Sequence, residues 1–165
     1  MIMNIRIIFV FALSIFSMQL NQATAQTCAS PTPLTFGVPA NNLTTCGLGN
    51  PFDQEDACGN TFMNGEDYVF SYTPTTVGLN DCVSINLTAL TPPTAKRAIF
   101  VFDGCPDLAG TNCIAQVVFT GTGNPNINIS NLQLTVGTPY MIVVSNNFLC
   151  HSFNIAVSGG ACTPP

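Results

Sequence analysis

The sequence predicts an all-β fold, an antiparallel β-sandwich of jelly-roll type with about eight strands that disulfides staple together. After residue 64, short apolar runs recur, several of them alternating apolar and polar residues, and Gly, Pro and Asn turns separate them. All eight cysteines lie between Cys28 and Cys162, and no run has the apolar period of a helix. An immunoglobulin-like sandwich is the alternative, but the chain lacks the Trp that such domains bury beside their disulfide.

The N-terminal segment, residues 1–25, has the pattern of a secretory signal peptide. Arg6 supplies the positive charge, residues 7–16 form an apolar run, and Ala23 and Ala25 fit the cleavage rule. A membrane anchor is the alternative, but polar residues interrupt the stretch before the roughly 20 apolar residues that a spanning helix needs. We therefore expect residues 26–165 to be a secreted or cell-surface domain with no membrane span after cleavage.

The cysteines indicate disulfides rather than a metal site. Their number is even, disulfides persist outside the cytosol, and the chain has neither a C-x-x-C pair nor a histidine other than His151 to complete a zinc site. Sequence alone does not determine the connectivity. Our hypothesis pairs cysteines that bracket short loops or the chain ends, Cys105 with Cys113, Cys46 with Cys58 and Cys28 with Cys162. Cys82 and Cys150 then remain as a bridge between strands.

The composition excludes several partners. Charged residues make up 7% of the chain, with 3 basic residues and a net charge of −5, whereas an ordinary domain has about 25% charged residues. Nucleic acid is therefore excluded as a partner, because its phosphates are neutralised by clustered Lys and Arg. Acidic membrane surfaces are disfavoured for the same reason.

The strands are predicted from alternation and from one continuous apolar run. Tyr68, Phe70 and Tyr72 alternate with smaller side chains, and residues 98–102 are apolar throughout, which is typical of a strand covered on both faces. The predicted strands are 34–36, 68–73, 83–87, 98–102, 114–120, 127–134, 140–145 and 153–157. The main strands thus occupy 67–158, and residues 159–165 form a tail.

Residues 39–66 form a long polar segment that we predict to be a loop. A loop of this length is usually functional or held by a covalent link, and the hypothetical bridge between Cys46 and Cys58 supplies the link.

The sharpest local feature of the chain is an acidic cluster at 53–67. Calcium takes six to eight oxygen ligands from carboxylates, amides and carbonyls, and the cluster has no basic residue beside it. We predict a calcium site there, with a solvated acidic loop as the alternative. The predicted ligands are Asp53, Glu55, Asp56, Asn64, Glu66 and Asp67.

Aromatic residues offer a second candidate site. Tyr68 and Tyr72 follow the period of a strand and are expected in the core. Phe148, in the polar stretch SNNFLC, and Tyr140 are our candidates for contact with a ligand.

Catalysis is not expected. Any Ser-His-Asp or Cys-His arrangement needs His151, which directly follows Cys150 at the start of a predicted strand. No nucleophile and base can be paired, so we predict that the protein is not an enzyme. Lys96 and Arg97 are interpreted as charged gatekeepers beside an aggregation-prone strand.

Several stretches together resemble the pre-peptidase C-terminal type of domain, in the Cys-containing variant of secreted Gram-negative proteins. They are GEDYVFSYTPT, FVFDGCPD and GTPYMIVVS, and the resemblance covers roughly residues 40–158. It implies a small jelly-roll sandwich that acts as an accessory module beside an enzyme or adhesin, and some relatives bind collagen, polysaccharide or calcium. The sequence shows no catalytic domain upstream and no sorting domain downstream, so we expect a free-standing binder or a self-assembling subunit.

These observations predict a secreted, non-catalytic adhesion module for extracellular polysaccharide or protein, stabilised by calcium. The alternative is a structural subunit of an extracellular filament or surface layer. Abundant Thr and Asn and apolar strands suit such side-by-side assembly.

Overall fold

The computed structural model describes residues 26–53, 55–56, 58–59, 62–75, 82–92, 96–123 and 125–160. The predicted signal peptide and the last residues of the predicted tail lie outside these ranges. Nine strands are present in the described ranges, and no helix. They are β1 (Thr32–Pro33), β2 (Ala40–Thr44), β3 (Tyr68–Tyr72), β4 (Cys82–Thr91), β5 (Arg97–Phe102), β6 (Cys113–Phe119), β7 (Ile127–Gln133), β8 (Tyr140–Asn146) and β9 (Ser152–Gly160).

The strands form two sheets, which confirms the predicted all-β sandwich. The five-stranded sheet has the order β1-β3-β8-β5-β6, and the four-stranded sheet has the order β2-β9-β4-β7. All neighbours are antiparallel except β1 and β3. Pairs that are nested along the chain, β2 with β9, β3 with β8, β4 with β7 and β5 with β6, are hydrogen-bonded neighbours. The jelly-roll type of the sandwich stays a prediction.

The main core lies between the two sheets, because alternate side chains of every long strand point inward. The four-stranded sheet contributes Ile85, Leu87 and Phe153, and the five-stranded sheet contributes Phe70 and Ile99, all with at most 1% exposure. Each fully buried side chain of this size contributes about 1.5–3 kcal/mol to folding.

A second core covers the outer face of the five-stranded sheet. Phe52, Phe62 and Met63 pack against Val69 of β3 and Phe100 of β5. We call the described residues of 52–63 the outer cover. It explains why every residue of β5 is buried, and it confirms that this strand is covered on both faces.

Two predicted boundaries differ from the structure. Residues 40–44, which we assigned to the long polar loop, form β2, an edge strand with an irregular register and with Asn42 at φ +57°. Its sequence, ANNLT, has no regular alternation for a strand prediction to detect. The predicted N-terminal strand at 34–36 is displaced to Thr32–Pro33, which fits the tolerance of edge strands for proline.

The predicted disulfide pairing is wrong. The bridges are Cys28–Cys105, Cys46–Cys150 and Cys58–Cys113, with sequence separations of 77, 104 and 55 residues. Cys82 is also disulfide-bonded, with its partner outside the described residues. The error arose from assuming that cysteines close short loops, whereas nested strand pairing brings residues far apart in sequence together.

The gatekeeper interpretation of Arg97 is also wrong. β5 lies inside its sheet, between β8 and β6, and Arg97 is fully buried. Its Nη2 donates hydrogen bonds to the carbonyl oxygens of Pro92 (3.2 Å) and Gly123 (3.1 Å). These bonds connect β5 to the segment before it and to the connection between β6 and β7, so Arg97 is a structural residue, whereas Lys96 is exposed.

Candidate functional site

The most exposed apolar side chains of the described chain include two neighbours in the connection between β8 and β9. Phe148 is 75% exposed and Leu149 is 50% exposed. We call residues 147–150 the Phe148 loop. Phe148 has φ +81°, a left-handed conformation that is a genuine outlier for a bulky residue. The predicted exposure of Phe148 is therefore confirmed, and its backbone is strained as well.

The base of the Phe148 loop is fixed to the sandwich. Cys150 is disulfide-bonded to Cys46, just beyond the end of β2. The amide of His151 donates to Oγ1 of Thr45 (3.0 Å), and the amide of Thr45 donates to the carbonyl of His151 (2.9 Å). A covalent link and two hydrogen bonds thus hold the chain directly below the exposed pair.

His151 itself is buried, with 1% exposure and its ring 5.5 Å from that of Phe153. Burial, and secondarily the charge of Arg97, lowers the pKa of the imidazole to about 4. Neither ring nitrogen has a hydrogen-bond partner among the described residues. The imidazole is therefore neutral at physiological pH and packs in the core below the loop.

The predicted calcium ligands are divided among several local structures. Oδ1 of Asp53 accepts a hydrogen bond from the amide of Glu55 (2.8 Å), and Oδ2 of Asp56 accepts one from the amide of Asp53 (3.2 Å). Oε1 of Glu66 accepts from the amide of Gly47 (3.0 Å). The first two carboxylates cap a turn in the outer cover, and Glu66 caps the turn that follows β2.

Asp67 lies beneath the outer cover with no exposed surface. Burial raises the pKa of its carboxyl to about 7, against the opposing influence of the Ser145 hydroxyl and the amide of Phe52. The amide of Phe52 donates to Oδ2 at 3.4 Å, whereas Oδ1 has no hydrogen-bond partner in the described part of the chain. The Ser145 hydroxyl lies beside the carboxyl group without the geometry of a hydrogen bond. Asp67 is thus a buried titratable group.

No three of the predicted acidic ligands in the described chain bring their oxygens within 4.8 Å of one another. Two groups that contain cysteines do bring their sulfur and carboxylate oxygen atoms this close together: Cys28 with Cys105 and Asp107, and Cys46 with Glu66 and Cys150. Both contain a disulfide, and only a thiolate is a metal ligand. Asn64, the one amide among the predicted calcium ligands, is half-buried. Calcium binding by the acidic cluster stays a prediction.

The aromatic predictions have different outcomes. Tyr140 was predicted to contact a ligand, but it is only 6% exposed, and its hydroxyl accepts a hydrogen bond from the amide of Thr135 (2.9 Å). Tyr72 is buried as expected, and Tyr68 stacks on Phe70 with 4.4 Å between ring centroids. Leu149 was not predicted, although the apolar pair between Asn147 and Cys150 was a usable signal.

No protein-family model, curated protein or solved structure matches the chain. The resemblance to pre-peptidase C-terminal domains therefore stays a prediction. No helix in the described residues is long and apolar enough to cross a membrane.

Proposed function

We propose that the protein is a secreted, non-catalytic binding module that attaches to an extracellular protein through the Phe148 loop. The observation that carries this proposal is the 75% exposure of a bulky aromatic side chain held at φ +81°. Strained backbone costs about 1–3 kcal/mol and clusters where ligands bind. An exposed Phe in such a conformation contributes little to folding, so a binding role accounts for it better than a structural one.

The fixed base of the loop supports the same conclusion. Binding is weakened by the entropy of ordering flexible loops, so a loop held in advance binds more tightly. The Cys46–Cys150 bridge and the two hydrogen bonds at Thr45 restrain the Phe148 loop before any ligand arrives.

The chemistry of the loop favours a protein as the ligand. Aromatic residues are enriched at the buried centres of protein interfaces, and Leu149 extends the apolar surface beside Phe148. Polysaccharide is the other class named by the sequence, but a branched aliphatic side chain offers no flat surface for a sugar ring. Three disulfides in the described chain are consistent with an extracellular or oxidising environment.

Binding to immobilised collagen, cellulose and chitin tests the proposal. The wild-type protein should bind collagen, and Phe148→Ala should weaken that binding at least tenfold, because truncating an aromatic anchor removes much of the binding energy. The control is Leu108→Ala, at a 62% exposed leucine in the connection between β5 and β6, which should leave binding unchanged.

Equal weakening by both variants, or unchanged binding by Phe148→Ala, would contradict a ligand site at the loop. Retention by cellulose or chitin alone, with loss in Phe148→Ala, would keep the site and change the ligand class to polysaccharide.

The calcium prediction has a separate test. If the acidic cluster binds calcium, adding calcium to the metal-free protein should raise its melting temperature, since a ligand that binds only the folded state stabilises it. Asp53→Asn combined with Asp56→Asn should abolish the shift. An intact protein that shows no calcium-dependent shift would end this idea without affecting the Phe148 loop.

A further inference from the structure

The first part of the outer cover is attached to the five-stranded sheet by few contacts. We call the described residues of 52–56 the Phe52 flap. Phe52 is 3% exposed and packs in the second core, whereas Asp53 and Glu55 are exposed and Asp56 is half-buried. The carboxylates of Asp53 and Asp56 accept amide hydrogen bonds from within the flap itself. One buried aromatic side chain therefore anchors a segment that is otherwise polar.

The flap is hydrogen-bonded to the sheet through Asp67. Among the described residues, the one such bond runs from the amide of Phe52 to Oδ2 of Asp67, and its length of 3.4 Å exceeds the usual range of about 2.7–3.2 Å. Oδ1 of Asp67 has no partner in the same part of the chain, although the Ser145 hydroxyl lies beside the carboxyl group. A fully buried carboxyl with so few partners is stable only in its neutral form.

The backbone on both sides of the flap suits a hinge. Gly49 before it has φ +79°, and Cys58 and Gly59 after it have φ +51° and +77°. A few loop residues that absorb changes in φ and ψ are enough for a hinge. The far side is fixed, since Cys58 is disulfide-bonded to Cys113 and its carbonyl accepts a hydrogen bond from Gln116. Movement is therefore confined to the part of the cover before Cys58.

The surroundings of Asp67 offer no compensation for a negative charge. Burial raises the pKa of its carboxyl to about 7, and the Asp56 carboxylate of the flap acts in the same direction. β8 contributes no charged side chain, and Tyr68 of β3 packs on the main core. The remaining charged groups of the packed elements are exposed or bonded elsewhere: Asp53, Glu55 and Lys96 are exposed, Glu66 bonds to the amide of Gly47, and Arg97 bonds to the carbonyls of Pro92 and Gly123.

We propose that the Phe52 flap is a pH-dependent lid, which is closed while Asp67 is protonated and opens about Gly49 and Cys58 when Asp67 ionises. Opening brings the carboxylate into contact with water without separating the two sheets. His151, the other strongly shifted group, belongs to the inner core and stays buried in this movement. Flap opening and global unfolding therefore respond differently to pH.

The direction of the pH dependence follows from the two states of Asp67. Its pKa is about 7 in the closed form and returns toward 3.8 in the open form. Opening releases a proton between these two values, so its equilibrium constant increases as the pH rises from about 4 to about 7 and is level above that. The total increase is up to about a thousandfold, because each pKa unit corresponds to a factor of ten.

Amide hydrogen exchange of the disulfide-intact protein at pH about 4 and about 7 tests this proposal. Each rate is divided by the intrinsic rate of an unprotected amide at the same pH. The opening constant of the Phe52 amide should be up to about a thousandfold larger at the higher pH. The amides of β4 and β9 should change little, because the contributions of Asp67 and His151 largely cancel in global unfolding.

Neutral substitutions at Asp67 should remove the pH dependence. Asp67→Asn should protect the Phe52 amide equally at both pH values, because its side chain does not ionise. Asp67→Ser, with a smaller neutral side chain, should give the same level profile and replaces the first variant if that variant does not fold. The matched control is Asp107→Asn, a change at an exposed acid in the connection between β5 and β6, which should retain the wild-type profile.

Three results would overturn the proposal. The first is equal protection of the Phe52 amide at both pH values in the wild type, and the second is a pH dependence that persists in Asp67→Asn. The third is a parallel change at Phe52 and in β4 and β9, because the flap would then open only with the whole domain. Phe148→Ala should retain the wild-type profile, which separates failure of the binding function from failure of the lid.

Discussion

The two faces of the five-stranded sheet are covered in different ways. The inner face packs on the four-stranded sheet, where residues such as Ile85 and Phe153 arrive at regular intervals from long strands. The outer face is covered by an irregular segment that places Phe52, Phe62 and Met63 on the same strands. A regular layer is held by its own hydrogen-bonded ladder, whereas an irregular cover depends on its anchor residues and on disulfides such as Cys58–Cys113.

Each face also encloses a buried group whose pKa burial shifts strongly, Asp67 on one and His151 on the other, and the two shifts are opposite. Asp67 lies under the outer cover, and burial raises its pKa from 3.8 to about 7. His151 lies at the end of the inner core, and burial lowers its pKa from 6.5 to about 4. Both groups are therefore kept neutral, and their effects on stability should oppose each other as the pH changes.

The largest expected effect comes from matched truncations of aromatic residues on the two faces. Phe153→Ala should lower the free energy of unfolding by about 3–5 kcal/mol, because the strand layer around the cavity relaxes little. Phe52→Ala should cost less, since an irregular cover can settle into the vacated space. Urea denaturation of both variants measures the difference, and an equal or larger loss for Phe52→Ala would mean that the cover is as rigid as the strand layer.

The pH dependence of stability separates the two buried groups. The folded pKa of Asp67 lies above its unfolded value, so the contribution of Asp67 to the free energy of unfolding is present below pH 3.8 and is lost as pH rises toward 7. The folded pKa of His151 lies below its unfolded value, so its contribution is present above pH 6.5 and is lost as pH falls toward 4. The shifts correspond to about 4 and 3 kcal/mol respectively, and they largely cancel in the wild type.

Single substitutions should uncover each dependence. In Asp67→Asn only the His151 dependence remains, so the free energy of unfolding should increase by up to about 3 kcal/mol between pH 4 and 6.5. In His151→Phe only the Asp67 dependence remains, so the free energy of unfolding should decrease over the same range. Denaturation midpoints of the wild type and both variants across this range provide the measurement. Parallel curves for all three proteins would show that neither group is buried in the neutral form.

Removal of the Cys58–Cys113 bridge should loosen only the outer cover. The double substitution Cys58→Ser and Cys113→Ser should lower the free energy of unfolding by about 2–4 kcal/mol, since the bridge restricts a long loop in the unfolded chain. Hydrogen exchange should accelerate at 52–63 and stay slow in β4 and β9. The control is Cys46→Ser with Cys150→Ser, which should instead accelerate exchange in the Phe148 loop, and equal acceleration throughout the chain would contradict two separate layers.

The smallest effect concerns the strained residue at the tip. Phe148→Gly should raise the free energy of unfolding by about 1 kcal/mol, because glycine adopts φ +81° without the steric penalty of a side chain. The same variant should lose binding to collagen. A gain in stability with a loss of binding is the trade expected at a functional position, and a loss of both would mean that Phe148 supports the fold.

Prediction from sequence succeeded where a regular pattern carries the information. The alternation of Tyr68, Phe70 and Tyr72 gave β3, and the continuous apolar run at 98–102 showed that β5 is covered twice. The identity of the second cover was not predictable, because residues 52–63 have no period and their position depends on contacts distant in sequence. The same reason explains the incorrect disulfides and the misplaced β2.

The candidate site was predictable in part. Phe148 stood out as an aromatic residue in the stretch SNNFLC between two predicted strands, and its exposure is confirmed. Tyr140 was wrong because a tyrosine in a strand can be buried with its hydroxyl bonded to a neighbouring amide, here that of Thr135. The acidic residues were grouped by proximity along the chain, whereas the direction of each side chain separates Glu66 from Asp67.

A map of amide chemical shifts during titration with a soluble triple-helical collagen peptide tests the binding proposal most directly. We expect saturable shift changes that centre on residues 147–150 and leave the acidic turn at 53–56 unchanged, and Phe148→Ala should abolish them. Changes centred on 53–56 that persist in Phe148→Ala, or an absence of changes at saturating peptide, would contradict protein binding through the Phe148 loop.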